Sequence, residues 1–163
     1  MAPHRSCVER LEDYLGRAGV AYELVTHPIR YTAQGVAQVE HVAGRLVAKV
    51  VMVLIDDQLA MIVTPATSQV DLDWVRDATG AGAVRLARED EFRHLFPDCE
   101  LGAMPPFGHL YGVPLYVDVA LTRDPVIVFN AGTHRQTITM TYTDFARLAE
   151  PRTGIFAKHR PAA

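Results

Sequence analysis

Cysteine is almost missing from this sequence: Cys7 and Cys99 are the only two among 163 residues. They stand far apart, without the paired spacing that zinc binding or thiol redox work requires. So few cysteines in a domain of this size point to a reducing compartment. The seven histidines form no H-x-x-x-H or H-x-H pair, which argues against a zinc site, and no other cofactor is implied. There is no G-x-S-x-G elbow and no P-loop lysine behind a glycine run; Gly80-Ala81-Gly82 reads as a helix stop. Long apolar runs are missing too. The longest, Leu46 to Ile55, is interrupted by Lys49 and is too short to span a bilayer, so no membrane contact is expected. Met1 to Leu15 is charged and lacks the apolar stretch of a signal peptide, which makes the cytoplasm the expected location. Positive charge is not in excess either, since the formal net charge is −3. No global field draws the chain to nucleic acid, so any RNA contact has to be local.

What is present is a globular composition, 49% hydrophobic and 21% charged, in a length that suits one domain with its own core. Ser6 and Glu9 make an S-x-x-E capping box. Val8, Leu11, Leu15 and Ala18 then supply a helical stripe that Gly19 stops. Residues 20–26 read as a strand ended by Thr26-His27-Pro28. Thr32 caps a second helix, carrying Ala33, Val36, Ala37 and Val39 up to Gly44. Leu46–Ile55 and Leu59–Thr64 are β-rich runs around the polar turn Asp56-Asp57-Gln58, a hairpin signal. A short helix starts at Asp71 and ends at Gly80; 83–87 reads as a strand, and 89–96 as an amphipathic helix stopped by Pro97. Further strands are expected at 115–119, 126–129 and 136–142, and Thr143 caps a final helix closed by Pro151. Helices and strands mixed without a βαβ rhythm, with one clear hairpin, indicate an α+β fold with a mixed or largely antiparallel sheet. Residues 1–151 are read as that single domain and 152–163 as a short basic tail. In the tail Arg152, Lys158, His159 and Arg160 follow the last acid, Glu150; such a segment is either solvated or a local RNA contact.

Three features carry chemistry. Lys49 interrupts a strand that should be covered on both faces, so it either reaches a cleft or snorkels from a sheet edge. The stretch from Asp98 to Pro114 is dense in breakers (Gly102, Pro105, Pro106, Gly108, Gly112, Pro114). Its glycines allow close backbone approach to a ligand and its amides suit an oxyanion, unless it is simply a rigid surface turn. Asp98 and Glu100 just upstream either hold a substrate ammonium or form a solvated acidic edge. Asn130-Ala131-Gly132-Thr133-His134 is a polar turn that either lines a cleft mouth or only links two strands. His27 before Pro28 ends a strand and is a candidate for the same cleft.

Together these residues resemble the YbaK/prolyl-tRNA-synthetase-associated family, which comprises free-standing aminoacyl-tRNA deacylases and the editing domain inserted in bacterial prolyl-tRNA synthetases. The resemblance rests on Val36 to Val53 around Lys49, on Gly102-Ala103-Met104-Pro105-Pro106 as the family's G-x-x-x-P loop, and on Gly132-Thr133-His134 before the last strand. It runs from about Leu24 to Pro151. It implies a mixed, partly barrel-like sheet flanked by helices, with the lysine and the loop facing one cleft. It also implies metal-free hydrolysis of the ester joining a wrong amino acid to the tRNA 3′ end. Carried over, Lys49 is the key catalytic residue, and Gly102 and Pro106 shape the catalytic loop. His27, Met104, Pro105, Phe107, Gly108, Gly132, Thr133 and His134 are the expected substrate-binding residues. Mischarged tRNA is the implied partner through its acceptor end, with an aminoacyl-tRNA synthetase as a further one. Val50 follows the lysine where many relatives carry Asn or Thr, so amino-acid specificity does not transfer. An aminoacyl ester is already activated, and needs positioning and charge stabilisation more than a strong nucleophile. The expected mechanism uses Lys49 as a cation, loop amides from Gly102 to Phe107 for the oxyanion, and the ribose 2′-hydroxyl or another substrate group to activate water. The alternatives are a non-catalytic module that holds a nucleotide or tRNA end, and a hydrolase of small esters unrelated to tRNA.

Overall fold

Two neighbouring runs of β-branched, apolar residues dictate the centre of the molecule. The computed structural model describes residues 5–159. In chain order its elements are helix α1 (Cys7–Arg17), strand β1 (Tyr22–Thr26), helix α2 (Ala33–Glu40), and strands β2 (Val47–Ile55), β3 (Gln58–Pro65) and β4 (Ser68–Val70). Helix α3 (Leu72–Thr79), strand β5 (Val84–Leu86) and the one-turn helix α4 (Glu89–Phe92) follow. Strands β6 (Leu115–Asp118), β7 (Val126–Thr133) and β8 (Gln136–Thr141), helix α5 (Tyr142–Ala149), and strands β9 (Arg152–Gly154) and β10 (Ala157–His159) complete the set.

The hairpin of β2 and β3 pairs from Ala48↔Pro65 to Ile55↔Gln58. Its turn is Asp56-Asp57, both left-handed (φ 47° and 67°), which a two-residue hairpin turn of this hand requires. Asp56 is held there because its carboxylate accepts the Gly82 and Ala83 amides at 3.0 and 2.9 Å. β3 lies along one edge of β2, while β7 (parallel, Val47↔Val128) and β5 (antiparallel, Val53↔Leu86) share the other. The full path, β1-β8-β7-β2-β3-β6-β9, is mixed, with antiparallel pairs at β1/β8, β7/β8, β2/β3 and β2/β5. This is the mixed α+β sheet flanked by helices that the sequence indicates.

Period two sorts β2 onto two faces. Ala48 and Met52 enter the main core with Met61, Val63, Ile127 and Phe129 from the sheet, Leu11 and Leu15 from α1, and Phe145 from α5. On the other face Val47 joins Val128, Ala66 and Val36 of α2, whereas Val53 joins Ile62 and Val75 of α3. Lys49 falls on this second face, between the patch under α2 and the patch under α3.

Several expectations need correction. Thr141, not Thr143, caps the last helix, accepting the Asp144 amide at 3.2 Å. α2 stops at Glu40, because His41 takes the left-handed conformation, and Gly44 opens a separate 3-10 turn. Residues 89–96 split into α4 and a 3-10 turn. The stretch read as a tail is built into the fold: β9 pairs with β6 and β10 with β4. The reason is Phe156 between them, 2% exposed, whose amide and that of Ala157 donate to the buried Asp118 carboxylate at 2.8 and 3.0 Å. Arg160, the last member of the basic cluster, lies outside the described residues. The two cysteines, far apart in sequence, are joined as a disulfide between the first turn of α1 and the loop after α4. The Tyr111 hydroxyl sits 3.6 Å from Cys7 Sγ and 3.5 Å from Cys99 Sγ, and burial pushes this phenol above the usual tyrosine range. Among the described residues no helix is long and apolar enough to cross a membrane, and no three His, Cys, Asp or Glu side chains gather as a metal site would.

Phe156→Ala is expected to cost about 3–5 kcal/mol in urea unfolding, the range for emptying a buried aromatic site. A solvated tail would shift stability by no more than about 0.5 kcal/mol. The Cys7–Cys99 bond closes a long loop and reduction opens it, so thiol reductant should lower the unfolding free energy by about 2–4 kcal/mol relative to the oxidised protein.

Candidate active site

The uncovered level of the β2 face opens into a cavity of about 300 Å³. Its floor is Lys49 from β2 and Asn130 from β7. Both residues lie two positions beyond the Val47↔Val128 pair, so the parallel register sets them side by side on one face. One wall is the entry to α2, Tyr31 to Gln34, and the other is Gly102. The helix is anchored at Thr32, whose hydroxyl accepts the Gly35 amide at 2.9 Å, and Gln34 donates to the Ala66 carbonyl at 3.2 Å. Lys49 is half-buried, and with the positive end of α2 it makes the cavity hospitable to negative charge. The Asn130 Oδ1 atom is buried there without a hydrogen-bond partner. A buried acceptor left in that state is costly unless a ligand completes it.

The Gly102 wall is held from behind. Glu100 donates its amide to the Gly132 carbonyl at 2.8 Å and Gly132 returns one to Ala103 at 2.9 Å, so the loop runs as an extra rung on β7. Gly102 itself has φ +86°, and a Cβ there would stand 3.3 Å from His134 Nε2. Its N–H points to the Met104 thioether at 3.2 Å. His134 is in turn gripped by Glu100, whose Oε2 lies 3.2 Å from Nδ1 and accepts the His134 amide at 3.3 Å.

Of the residues singled out from the sequence, Lys49 and Gly102 meet in this cavity, and His134 backs its Gly102 wall. Met104, Pro105 and Pro106 are buried beneath the loop and shape it. The others sit elsewhere, for packing reasons. Phe107 is fully buried, edge-on to Phe129, Phe145 and Tyr14. Gly108 lies so close to the Val113 carbonyl that a Cβ would approach it to 2.6 Å, and Gly132 packs against Cys7 in the same manner. Thr133 organises its own turn, accepting the Arg135 amide and donating to Gln136. His27 is buried under the end of α2. Its Nδ1 is 2.6 Å from the Pro28 carbonyl, and its Nε2 is 3.3 Å from Glu40 Oε2, within ion-pairing reach but off the line of a hydrogen bond. Thr137 donates to the same Glu40 carboxylate at 2.7 Å. Substrate contact is therefore not what the positions of His27, Phe107, Gly108, Gly132 and Thr133 offer. Asp98 is bound up with Arg10 at 2.9 Å. Asn130, Tyr31 and Gln34 line the cavity as well, beyond the expected site residues. Asn130 carries the same signal as Lys49, a polar group on a strand face that should be covered.

Comparison with known proteins decides the kind of site. A family model described as an aminoacyl-tRNA editing domain matches residues 27–148. The chain belongs to the aminoacyl-tRNA editing domain family. Its relatives include the multifunctional Ser/Thr-tRNA deacylase ProXp-y of Escherichia coli K12, 27% identical over 148 residues that cover 88% of each chain. The same fold is found in a solved structure described as a candidate trans-editing enzyme for prolyl tRNA synthetase, with TM-score 0.82, 21% identity, and 96% and 99% coverage. A hypothetical protein of known structure also has TM-score 0.82, at 18% identity and 92% and 100% coverage. As a member of this editing family the chain is a hydrolase of aminoacyl-tRNA esters, and the Lys49–Gly102–Asn130 cavity is its candidate active site.

Replacing Gly102 with Val tests whether the editing-domain loop works by close approach. The left-handed backbone and the neighbouring imidazole both oppose a β-branched side chain, so stability should fall by about 1–2 kcal/mol. Deacylation should fall by about 100-fold, as a displacement near 1 Å at a reacting centre does. Activity loss no greater than the stability loss predicts would instead make Gly102 a turn residue.

Proposed function

We propose that this editing domain works in trans on free mischarged tRNA, hydrolysing the ester at the Lys49–Gly102–Asn130 cavity without a metal. The observation that carries the reading is Lys49 on a strand face between two helix-covered patches, level with Asn130 and across from Gly102. Lys49 supplies an ammonium that binds the ester carbonyl region or the terminal phosphate. The Gly102 N–H is the oxyanion donor. It is spent only on a thioether, a weak acceptor that an oxyanion displaces, whereas Ala103 and Phe107 commit their amides to the Glu100 and Pro105 carbonyls. The expected row of loop amides thus loses Ala103 and Phe107 as donors. Asn130 Oδ1 meets the α-ammonium of the aminoacyl group. Glu100 and His134 are positioning residues that keep Gly102 in place. Water is activated by the ribose 2′-hydroxyl of the substrate.

With a Ser/Thr-tRNA deacylase among its relatives, seryl- and threonyl-tRNA are the substrates we assign first.

The test is a panel of mischarged tRNAs with three Lys49 variants. Lys49→Ala should lower deacylation by about 10²–10³-fold, the scale of losing a preorganised charge partner, with cooperative unfolding retained. Lys49→Arg keeps the charge but replaces a compact head with a planar fork, so it should restore only part of the rate. Lys49→Met should match Lys49→Ala. An active Lys49→Met would remove this residue from the mechanism, and tRNA binding without turnover by the wild type would establish a non-catalytic module.

A further inference from the structure

We infer that Tyr31 is the stacking platform for the terminal nucleobase of the substrate, so that the cavity has a purine subsite at its mouth. This rests on the editing reading of the cavity and extends it to a residue and a ligand class. Tyr31 is 74% exposed, the most exposed of the large hydrophobic side chains among the described residues. The others that stand out, Leu86, Leu110 and Ile155, do not line the cavity, whereas Tyr31 does.

The ring is held rather than dangling. One of its faces lies against the His134 imidazole, with ring centroids 4.8 Å apart and planes at 55°. That imidazole is buried and gripped by Glu100. The backbone is fixed on both sides as well, since Arg30 donates its amide to the His134 carbonyl at 3.1 Å and Thr32 caps α2. The residue is otherwise open to solvent beside the cavity that it lines.

The placement suits an aminoacylated adenosine. Gly102 and Tyr31 line the same cavity, and both neighbour His134: a Cβ at Gly102 would stand 3.3 Å from its Nε2, and the Tyr31 ring centroid lies 4.8 Å from that of the imidazole. The proposed ester position and the exposed ring thus belong to one site, with the ester inside and the ring at its rim. Every base has a π-face, so stacking binds any terminal nucleobase, and tRNA ends in adenosine. A lone exposed tyrosine with no ligand role would need no backing ring and no anchored backbone.

The test compares binding of adenosine 5′-monophosphate and ribose 5-phosphate to the wild type, Tyr31→Ala and Tyr31→Phe by calorimetry, beside deacylation of the tRNA panel. The wild type should prefer the adenine-bearing probe by about 10- to 100-fold, the range for one base on one aromatic ring. Tyr31→Ala should abolish that preference and raise KM for aminoacyl-tRNA by a similar factor, with kcat little changed. Tyr31→Phe should keep both. Adenine preference that survives in Tyr31→Ala, no preference in the wild type, or equal weakening of both probes by release of His134 would each overturn the subsite. A wild type that shows the Tyr31-dependent preference yet deacylates nothing would leave the subsite standing and refute the hydrolytic reading alone.

Discussion

A strand paired along both edges, as β2 is with β3 on one side and β7 and β5 on the other, meets a ligand only through its faces. One face of β2 is sealed by the main core. The other is sealed by α2 over Val47 and by α3 over Val53, and these covers do not meet. A residue at the gap needs a polar head, since an apolar one would be wasted and an isolated buried charge would be costly. Lys49 occupies it. The same register that fixes Lys49 fixes Asn130 on β7, and a slip by one residue would send both into the core and bring apolar neighbours to the cavity. The turn at Asp56 and Asp57, pinned by the Gly82 and Ala83 amides, is thus a distant determinant of the site.

The opposing wall depends on a different constraint, rigidity imposed from outside the cavity. The segment from Cys99 to Gly108 has almost no regular structure, yet each of its parts is tied down. Cys99 is bonded to α1, Glu100 and Ala103 are zipped to Gly132, and Phe107 is sunk among Phe129 and Phe145. Gly132 has no Cβ because Cys7 occupies that space. The disulfide, the glycine and the loop therefore form one packing unit behind Gly102. For a reaction with an activated ester and no protein nucleophile, such preorganisation is what catalysis has to work with.

How much of this was legible in the sequence follows from the range of each interaction. Local signals read well: the caps at Ser6, Thr32 and Asp71, the β2–β3 hairpin, and Lys49, whose misfit is visible within its own strand. The helix cap expected at Thr143 lies two residues earlier, because four threonines at alternate positions from Thr137 to Thr143 offer equivalent hydroxyls, and only the end of β8 selects Thr141. A breaker-rich loop does not reveal which of its side chains point inward, so Phe107 is expected to face substrate, and a histidine at a strand end such as His27 does not reveal whether it meets a cleft or the end of a helix. Long-range pairings were invisible. Nothing near Cys7 announces Cys99, and nothing near Phe156 announces Asp118, so a disulfide was missed and two strands were taken for a tail. Asn130 was legible in principle by the logic applied to Lys49, but it was read as part of a turn because β7 was expected to end at Phe129.

The charge pattern fits recognition of an end rather than a surface. A chain with net charge −3 repels the length of a polyanion, and duplex RNA is held mainly through its phosphates. The cavity offers local attraction, where one ammonium and the first turn of α2 act together in a half-enclosed space and are screened less than surface charges would be. In the proposed binding mode the acylated 3′ terminus enters that space while the rest of the tRNA stays outside. An editing enzyme working in trans gains from this weakness. It must sample many correctly charged tRNAs and release them, so affinity drawn from the common body of tRNA would only slow the search, and discrimination falls to the amino-acid side chain, the one part of the acylated end that differs.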